Sequence, residues 1–386
     1  MKKILALLLT VALVFAMTAS CFCTTACADE KEPKHWVLGM PDMRANSADP
    51  TWGSLIANIE LIAEKCNGEI VYLSGIISTA EGAVQCVDEA IAQGCDGVFI
   101  MPVTDAVMPV ISQKCQEAGI YFASWFRKIQ NPEILAMLEN NPYWCGWTIE
   151  AEFEEGFLET EYLANLGVKQ IAFYGQEVGD ACSDMREEGM RAACEQYGIE
   201  VVAEVRNLGS TAEITQAFES CIASYPDLDG LVMLSSYVTN ATEAMAEAIA
   251  TAGKTGQIRL AALDTTMSQG DLFAAGKLDI SGGCQHIINT VMTACSVLNF
   301  VMGTPLDPDG KPNYTEDAYI YTHTKEEIDE AFSLYGGLDG SVIVFGENTL
   351  KDKLLKFYNP ELTQEDFYSI SRNWGLEELR ELHEYQ

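Results

Sequence analysis

The sequence predicts an α/β protein with two doubly wound, Rossmann-like lobes, each a parallel sheet covered by helices on both faces. Three observations lead to this prediction. Short β-rich apolar runs alternate with amphipathic stretches of helical length, the alternation stops and restarts near the middle of the chain, and one segment recurs in both halves. A chain of 386 residues is also too long for one ordinary core and suits two domains of about 100 to 200 residues each.

The first series of elements begins at His35. Its predicted strands are Trp36–Met40, Ile70–Leu73, Val98–Met101 and Ile120–Ala123. Helices are predicted between them, near Trp52–Cys66, Ala80–Gln93 and Asp105–Ala118. The dipeptides Asn131-Pro132 and Asn141-Pro142 follow, and Asn-Pro favours a turn, so the sequence predicts a linker there.

The second series repeats the pattern. Its predicted strands are Ile171–Tyr174, Val201–Val205, Leu231–Leu234, Leu260–Leu263 and Asp279–Ser281. A long helix at Ile287–Val301, a second linker at Gly303–Pro312 and a short strand at Tyr319–Tyr321 come next. The tail from Lys325 to Gln386 is predicted to form acidic helices with no βα unit, and we expect it to wrap the second lobe or to meet a partner.

An internal sequence repeat supports the prediction of two related lobes. Gln85, Ile91-Ala92 and Asp96-Gly97 precede one predicted strand, and Gln216, Ile222-Ala223 and Asp229-Gly230 precede another at nearly the same spacing. Each copy is typical of a helix, a tight turn and a buried strand. Because the match falls at corresponding places in both series, duplication is favoured over coincidence.

The first 28 residues are typical of an export signal. Lys2 and Lys3 precede an apolar run from Ile4 to Ala19, which is shorter than the roughly 20 residues of a membrane-spanning helix. Two processing hypotheses stay open. Cys21 follows small residues as in a lipid-anchoring signal, whereas Ala26-Cys27-Ala28 fits ordinary cleavage before Asp29.

Composition excludes several classes of function. With 57 acidic against 23 basic residues, the field of the protein repels nucleic acid and anionic lipid. The four histidines form no metal motif, and no catalytic or dinucleotide fingerprint is present, so we expect neither a cofactor nor a metal. The cysteines after Ala28 lie mainly in helical patterns without a C-x-x-C pair, which favours free core thiols over a disulfide framework.

Several motifs, in this order, carry a family resemblance. They are Gly39-Met40 with Asp49-Pro50-Thr51-Trp52, Gly94-Cys95-Asp96-Gly97-Val98 with Pro102, Arg186-Glu187-Glu188-Gly189-Met190, and Ala261-Ala262-Leu263-Asp264. Together they resemble the type I periplasmic binding proteins, in particular the ribose-type sugar-binding branch. The resemblance spans about Trp36 to Tyr321. It implies two lobes joined by three crossing segments, which close on a ligand and deliver it to the membrane permease of an ABC importer.

The resemblance also suggests a division of the chain. We expect a signal region at 1–28, an N-terminal lobe at 35–128 plus 284–304, and a C-terminal lobe at 142–283 plus 313–324. Residues 325–386 would form a helical extension. The hinge crossings are expected near Lys128–Asn141, near Gly282–Gln285 and near Gly303–Pro312. We expect a monomer.

The expected ligand site lies at the carboxyl ends of the strands, where open parallel sheets bind ligands. The resemblance implies stacking of a sugar ring on Trp52, a guanidinium fork at Arg127 for ligand oxygens, and a hydroxyl-binding carboxylate at Asp264. The full set of candidate residues is Asp49, Trp52, Phe126, Arg127, Asp184, Ser236, Asp264 and Gln285. Arg186 is expected to be structural.

Departures from the family pattern change the expected pocket. Phe126, Asp184 and Ser236 replace the acid, the arginine and the amide that the resemblance implies. The resulting mixture favours a neutral sugar or polyol over an anionic ligand, because an anion would meet the carboxylates of Asp264 and Asp184. A ligand sensor for a membrane chemoreceptor or kinase is the first alternative function. A secreted glycoside hydrolase is a further alternative, although nothing in the sequence requires an enzyme.

Overall fold

The computed structural model describes residues 32–47, 50–76, 79–336 and 339–385. Within these ranges, twelve strands form two six-stranded sheets. They are β1 (Trp36–Pro41), β2 (Gly68–Leu73), β3 (Gly97–Ile100), β4 (Tyr121–Trp125), β5 (Trp144–Glu150), β6 (Gln170–Gly175), β7 (Glu200–Arg206), β8 (Gly230–Met233), β9 (Arg259–Leu263), β10 (Ile280–Gly283), β11 (Asn313–Asp317) and β12 (Ile320–Thr322).

Helices cover both faces of each sheet. The main ones are α1 (Pro50–Lys65), α2 (Ala80–Gln93), α3 (Met108–Ala118), α4 (Pro132–Glu139), α5 (Glu152–Asn165), α6 (Ala181–Tyr197), α7 (Thr211–Ser224), α8 (Ala241–Thr251), α9 (Gln269–Ala274), α10 (His286–Val301), α11 (Lys325–Tyr335), α12 (Gln364–Arg372) and α13 (Leu376–Tyr385). Among the helices of the described ranges, none is both long and apolar enough to cross a membrane.

The two sheets have the same strand order, as the internal sequence repeat predicts. The first is β2-β1-β3-β4-β5-β11 and entirely parallel, and the second is β7-β6-β8-β9-β10-β12 with only β12 antiparallel. Each sheet carries an apolar core on both faces. The predicted α/β class with two doubly wound lobes is therefore confirmed.

The chain passes between the lobes three times. It crosses at Ala151, between β5 and α5, at Cys284-Gln285, between β10 and α10, and at Ala318-Tyr319, between β11 and β12. The middle crossing lies where the sequence placed it. The other two do not, because β5 and β11 pair with each other in the first sheet, so residues 142–150 and 313–317 belong to the first lobe.

Each difference has its own cause. Asn131 accepts from the backbone N–H groups of Glu133 and Ile134 and caps α4, whose first residue is Pro132. Asn-Pro is here a helix start rather than a linker, because proline at the first helical position lacks only an N–H that would be unpaired anyway. The sequence of β11, NYTED, is too polar to be recognised as a strand, yet three of its five residues are buried.

The C-terminal tail packs mainly on the first lobe, contrary to the expectation that it would wrap the second. Its apolar side chains join the core that α1 and α10 form against the first sheet. These side chains include Tyr335, Phe345, Leu350, Leu354, Phe367, Trp374, Leu379 and Leu382. Helix α11 also reaches α9 in the second lobe, so the tail contacts both lobes.

Buried polar residues of α1 form hydrogen bonds with the backbone of the C-terminal tail. Asn58 donates to the carbonyl of Val342 at 2.9 Å and accepts from the N–H groups of Val344 and Phe345 at 2.9 and 3.1 Å. Ser54 donates to the carbonyl of Gly336 at 2.7 Å. A buried polar side chain must be hydrogen-bonded to be tolerated, so the inner face of α1 is built to receive the tail.

Candidate functional site

Eight side chains from both lobes meet where the strands end. They are Trp52, Phe126, Arg127, Ser236, Tyr237, Asp264, Gln285 and His286, and we call them the cleft ring. Each residue contacts another member of the ring by a hydrogen bond or ring contact or adjoins it in the chain. The carboxyl edge of the parallel sheets is thus occupied as the strand-end rule predicts.

Three strands end in a left-handed residue beside the cleft. Phe126 follows β4 with φ of 61°, Asp264 follows β9 with φ of 56°, and Cys284 follows β10 with φ of 62°. Residues other than glycine rarely adopt this backbone conformation, and bulky residues such as Phe126 adopt it least of all. Strained residues of this kind cluster at functional sites. The same backbone conformation therefore recurs at the carboxyl ends of strands in both sheets.

Asp264 is held as an ionised acceptor. Ser236 donates to its Oδ2, and the Nε2 group of Gln285 donates to its Oδ1 at 3.0 Å. Burial alone would raise the pKa of Asp264, but the charges of His286 and Arg186 and these two hydrogen bonds hold it below its usual 3.8. The buried Oε1 of Gln285 has no partner in the described structure, so an acceptor next to Asp264 stands ready for a ligand hydroxyl.

His286 is part of the cleft ring that the sequence did not reveal. Its ring lies 5.5 Å from that of Trp52 and 5.5 Å from that of Phe126. Burial would lower its pKa, but the Glu150 carboxylate, 2.9 Å from Nδ1, outweighs burial and raises the pKa to about 9. The imidazole is therefore a cation at neutral pH. Without a metal motif around it, no sequence signal distinguishes this histidine from a core residue.

Arg127 reaches from the first lobe to the second. Its Nη1 donates to the carbonyl of Phe126 at 3.1 Å and to Sγ of Cys182 at 3.0 Å, and its Nη2 lies 3.4 Å from the Tyr237 hydroxyl. Cys182 lies in the first turn of α6 and Tyr237 follows β8, so both belong to the second lobe. The guanidinium consequently bridges the two sides of the cleft.

Seven of the eight predicted site residues lie in the described ranges, and six of these seven join the ring. Asp49 lies outside the described residues. Asp184 lies in the first turn of α6, where its carboxylate accepts from the N–H of Gly179 at 2.8 Å and so caps the preceding loop. The expected second carboxylate therefore does not face the ligand beside Asp264.

Arg186 holds the crossings together. Its Nε donates to Glu152 at 2.5 Å, its Nη1 to the carbonyl of Leu234 at 3.2 Å, and its Nη2 to the Tyr319 hydroxyl at 3.3 Å. The Tyr319 hydroxyl in turn reaches Glu150 at 3.1 Å. The guanidinium thereby joins the first and third crossings to β8, and its partners are all internal groups, as expected of a structural residue.

Helix α5 presents carboxyl groups on its buried face. Glu152, Glu155 and Glu159 are each no more than 2% exposed. Glu152 pairs with Arg186, and Glu159 accepts from the Gly282 N–H at 3.0 Å. The carboxyl group of Glu155 lies beside that of Glu159. Burial raises the pKa of Glu155 to about 8, so it is protonated at neutral pH.

Glu155 should make stability depend on pH. Unfolded, Glu155 ionises near 4.5, whereas the folded protein holds its proton to about pH 8. Folding stability therefore falls as pH rises from 4.5 to 8 and is unaffected by this group below that window. Because glutamine does not ionise, Glu155→Gln should raise the melting temperature more at pH 8 than at pH 5.

Melting curves at pH 5, 7 and 8 measure this difference. Glu154→Gln, a change at the exposed neighbour, is the control and should give the same small shift at each pH. A Glu155→Gln shift that is equal at pH 5 and pH 8 would contradict the assignment of a protonated Glu155.

Within the described ranges, no group of three or more His, Cys, Asp or Glu side chains is arranged to hold a metal ion. The cleft ring is instead a set of aromatic faces, hydrogen-bond acceptors and cations. Such a mixture suits a small polar organic molecule with an apolar face.

Comparison with known proteins agrees with this geometry. The sequence profile described as "Periplasmic binding protein domain" matches residues 43–289. No curated protein matches the chain. A solute-binding protein of an ABC transporter from Actinobacillus succinogenes with bound D-allose is 17% identical, with a TM-score of 0.62 over 78% of this chain and 99% of that one.

Two further solved structures have the same fold. A periplasmic ribose ABC transporter protein from Conexibacter woesei is 16% identical, with a TM-score of 0.62 over 79% of this chain and 96% of that one. A solute-binding protein from Bacillus halodurans with bound myo-inositol is 17% identical, with a TM-score of 0.57 over 79% and 99% of the two chains.

The molecule has two lobes, and the cleft ring lies near the segments that cross between them. The chain belongs to the periplasmic binding protein domain family, and its fold is that of the type I members that the sequence resembles. Family membership implies that the protein is exported. The predicted signal region and the lipid anchor at Cys21 lie outside the described residues and stay predictions.

Proposed function

We propose that the protein captures a sugar-like or polyol ligand between its lobes and delivers it to the membrane permease of an ABC importer. The observation that carries this proposal is Asp264, whose carboxylate is oriented by Ser236 and Gln285 at a left-handed strand end. An ionised carboxylate has about four lone-pair positions. With two of them used by these partners, the others can accept from ligand hydroxyls.

Aromatic groups supply the second half of the recognition. The rings of Trp52 and Phe126 each contact the ring of His286. A flat aromatic face packs against the C–H face of a sugar and excludes water, which strengthens the hydrogen bonds beside it. The allose and inositol that two structural relatives hold are ligands of this kind.

Binding without turnover is part of the proposal. Glycoside hydrolysis uses two carboxyl groups on opposite sides of the scissile bond, and Asp264 is the carboxylate among the eight described residues of the cleft ring. The protein would act as a monomer, anchored at Cys21, and closure of the lobes would signal occupancy to the permease. A sensor for a membrane receptor would bind its ligand in the same way. Ligand uptake by a strain that lacks the permease distinguishes the two roles, because only the transport role requires the permease.

Asp264→Ala should weaken ligand binding at least tenfold. The substitution removes charge-assisted hydrogen bonds, each of which contributes about 1.5 to 3 kcal/mol. Calorimetric titration with neutral monosaccharides, polyols and their acids measures the change. Asp184→Ala is the matched control and should bind as the wild type does, since that carboxylate caps a loop. Equal affinities of wild type and Asp264→Ala would place the ligand elsewhere.

A further inference from the structure

Arg127 is exceptional among the arginines of this chain. Seven of the eight arginines lie within ion-pair distance of a carboxylate in the described structure: Arg44, Arg186, Arg191, Arg206, Arg259, Arg372 and Arg380. Arg127 instead bonds to a carbonyl, a thiol and a hydroxyl. In a chain with 57 acidic and 23 basic residues, an arginine that acquires no carboxylate partner is unexpected.

The position of Arg127 makes this exception meaningful. It is partly buried at the end of β4, and its hydroxyl partner Tyr237 adjoins Ser236, which donates to Asp264. A cation withdrawn from water is costly unless an anion pairs with it. Among the described residues, Asp180 reaches Arg127 only through the Tyr237 hydroxyl, and Glu152 already pairs with Arg186. No carboxylate of the described structure therefore contacts the Arg127 guanidinium directly, and a ligand anion can take that place.

The guanidinium also has donors to spare. Of its five N–H groups, two on Nη1 and one on Nη2 account for its bonds to Phe126, Cys182 and Tyr237. The Nε–H and one Nη2–H have no partner that the described structure records. Nε and Nη2 share one edge of the planar guanidinium, and an edge of this kind can hold a carboxylate through two parallel hydrogen bonds.

The other charges of the ring are already assigned. The Glu150 carboxylate balances His286 at 2.9 Å, and Asp264 accepts from Ser236 and Gln285 with capacity left for hydroxyl donors. A ligand that fits must therefore offer hydroxyl groups to Asp264 and one negative charge to Arg127. A phosphate carries about −1.5 to −2 at neutral pH, more than this single free cation can balance.

We propose that the preferred ligand is a sugar acid, a polyhydroxylated molecule whose single carboxylate binds Arg127 while its hydroxyls bind Asp264. This inference rests on the proposed function and narrows it, because it replaces the neutral ligand that the sequence favoured. That expectation relied on Asp184 as a second carboxylate in the pocket, and Asp184 caps a loop instead.

Calorimetry with matched pairs tests the inference. The pairs are D-glucuronate with D-glucose, D-galacturonate with D-galactose, and D-gluconate with D-sorbitol, each at 0.15 M salt to screen the negative field of the protein, where the screening length is about 8 Å. At least one acid should bind tenfold or more tightly than its neutral partner. In Arg127→Gln the ratio of the two affinities should fall towards one, and Arg127→Lys should retain part of it.

Arg259→Gln is the matched control, because its guanidinium pairs with Asp279 away from the cleft ring, so the ratio should not change. Neutral partners that bind as tightly as the acids, or a sugar phosphate that binds more tightly than both, would overturn the inference and leave the proposed function standing. An unchanged ratio in Arg127→Gln would also overturn it. If no sugar, polyol, acid or phosphate binds the folded protein, the proposed function itself fails.

Discussion

Arg186→Met is expected to lower the free energy of unfolding by about 3 to 5 kcal/mol, the usual cost of removing one partner of a buried ion pair. Methionine fills much of the volume but leaves Glu152 without the guanidinium 2.5 Å away. It also removes a donor from the carbonyl of Leu234 and from the Tyr319 hydroxyl. Urea unfolding followed by circular dichroism measures the loss.

The same helix provides a control for this substitution. Arg191 pairs with Glu187 and Glu204, but its side chain is 43% exposed, so Arg191→Met should cost no more than about 1 kcal/mol. The double variant Arg186→Met, Glu152→Gln should recover part of the stability, because no uncompensated carboxylate remains. Equal losses in Arg186→Met and Arg191→Met would show that the buried network contributes little.

A chain that ends at Thr324 is expected not to reach the native fold. The apolar face that α1 and α10 present to the tail would be exposed to water, and Asn58 would lose its three backbone partners. An exposed apolar surface of this kind leads to association. Gel filtration should therefore show aggregates, and thermal melting should lack a cooperative transition.

A milder change tests the same contact in a folded protein. Asn58→Ala removes the hydrogen bonds to Val342, Val344 and Phe345. It leaves the buried N–H groups of Val344 and Phe345 unpaired, each at a cost of about 1 to 3 kcal/mol, and the partly buried carbonyl of Val342 also loses a donor. Asn140→Ala is the control, since its side chain is exposed and donates to the carbonyl of Ala136 alone. A truncated chain that melts cooperatively at the wild-type temperature would contradict this role of the tail.

The βα alternation carries enough local information to predict most of the fold. Buried parallel strands such as Leu231–Leu234 are short apolar runs between helical patterns, and both signals are local. The strand β11 escapes prediction because its burial depends on pairing with β5, a contact between residues far apart in the chain. The tail escapes for the same reason, since its partners on α1 lie almost 300 residues away.

The candidate site follows a similar division. The strand-end rule places Phe126 at the carboxyl edge of the first sheet and Asp264 at that of the second, because the rule depends only on where the strands end. The role of Asp184 depends on the conformation of the loop before α6, whose Gly179 N–H it accepts from. The role of His286 depends on its contact with Glu150, which lies far away in the sequence. Neither is a property of spacing along the chain.

Ten cysteines in the described ranges are free thiols, and nine of them are buried. Burial raises the pKa of Cys66 and Cys86 to about 11 and that of Cys115 to about 12, so the reactive thiolate is scarce while the fold persists. Burial also raises the pKa of Cys194, in the second lobe, to about 11.

These thiols are distributed over all four apolar layers of the molecule. Cys66 lies beneath the tail, Cys86 on the opposite face of the first sheet, and Cys194 and Cys221 on the two faces of the second. The buried thiols of Cys66, Cys86 and Cys194 can react with an alkylating reagent only when their own layers open, whereas Cys221 is partly exposed. The chain thus carries natural reporters of local opening, and their labelling rates under native conditions rank the layers by the order in which they come apart.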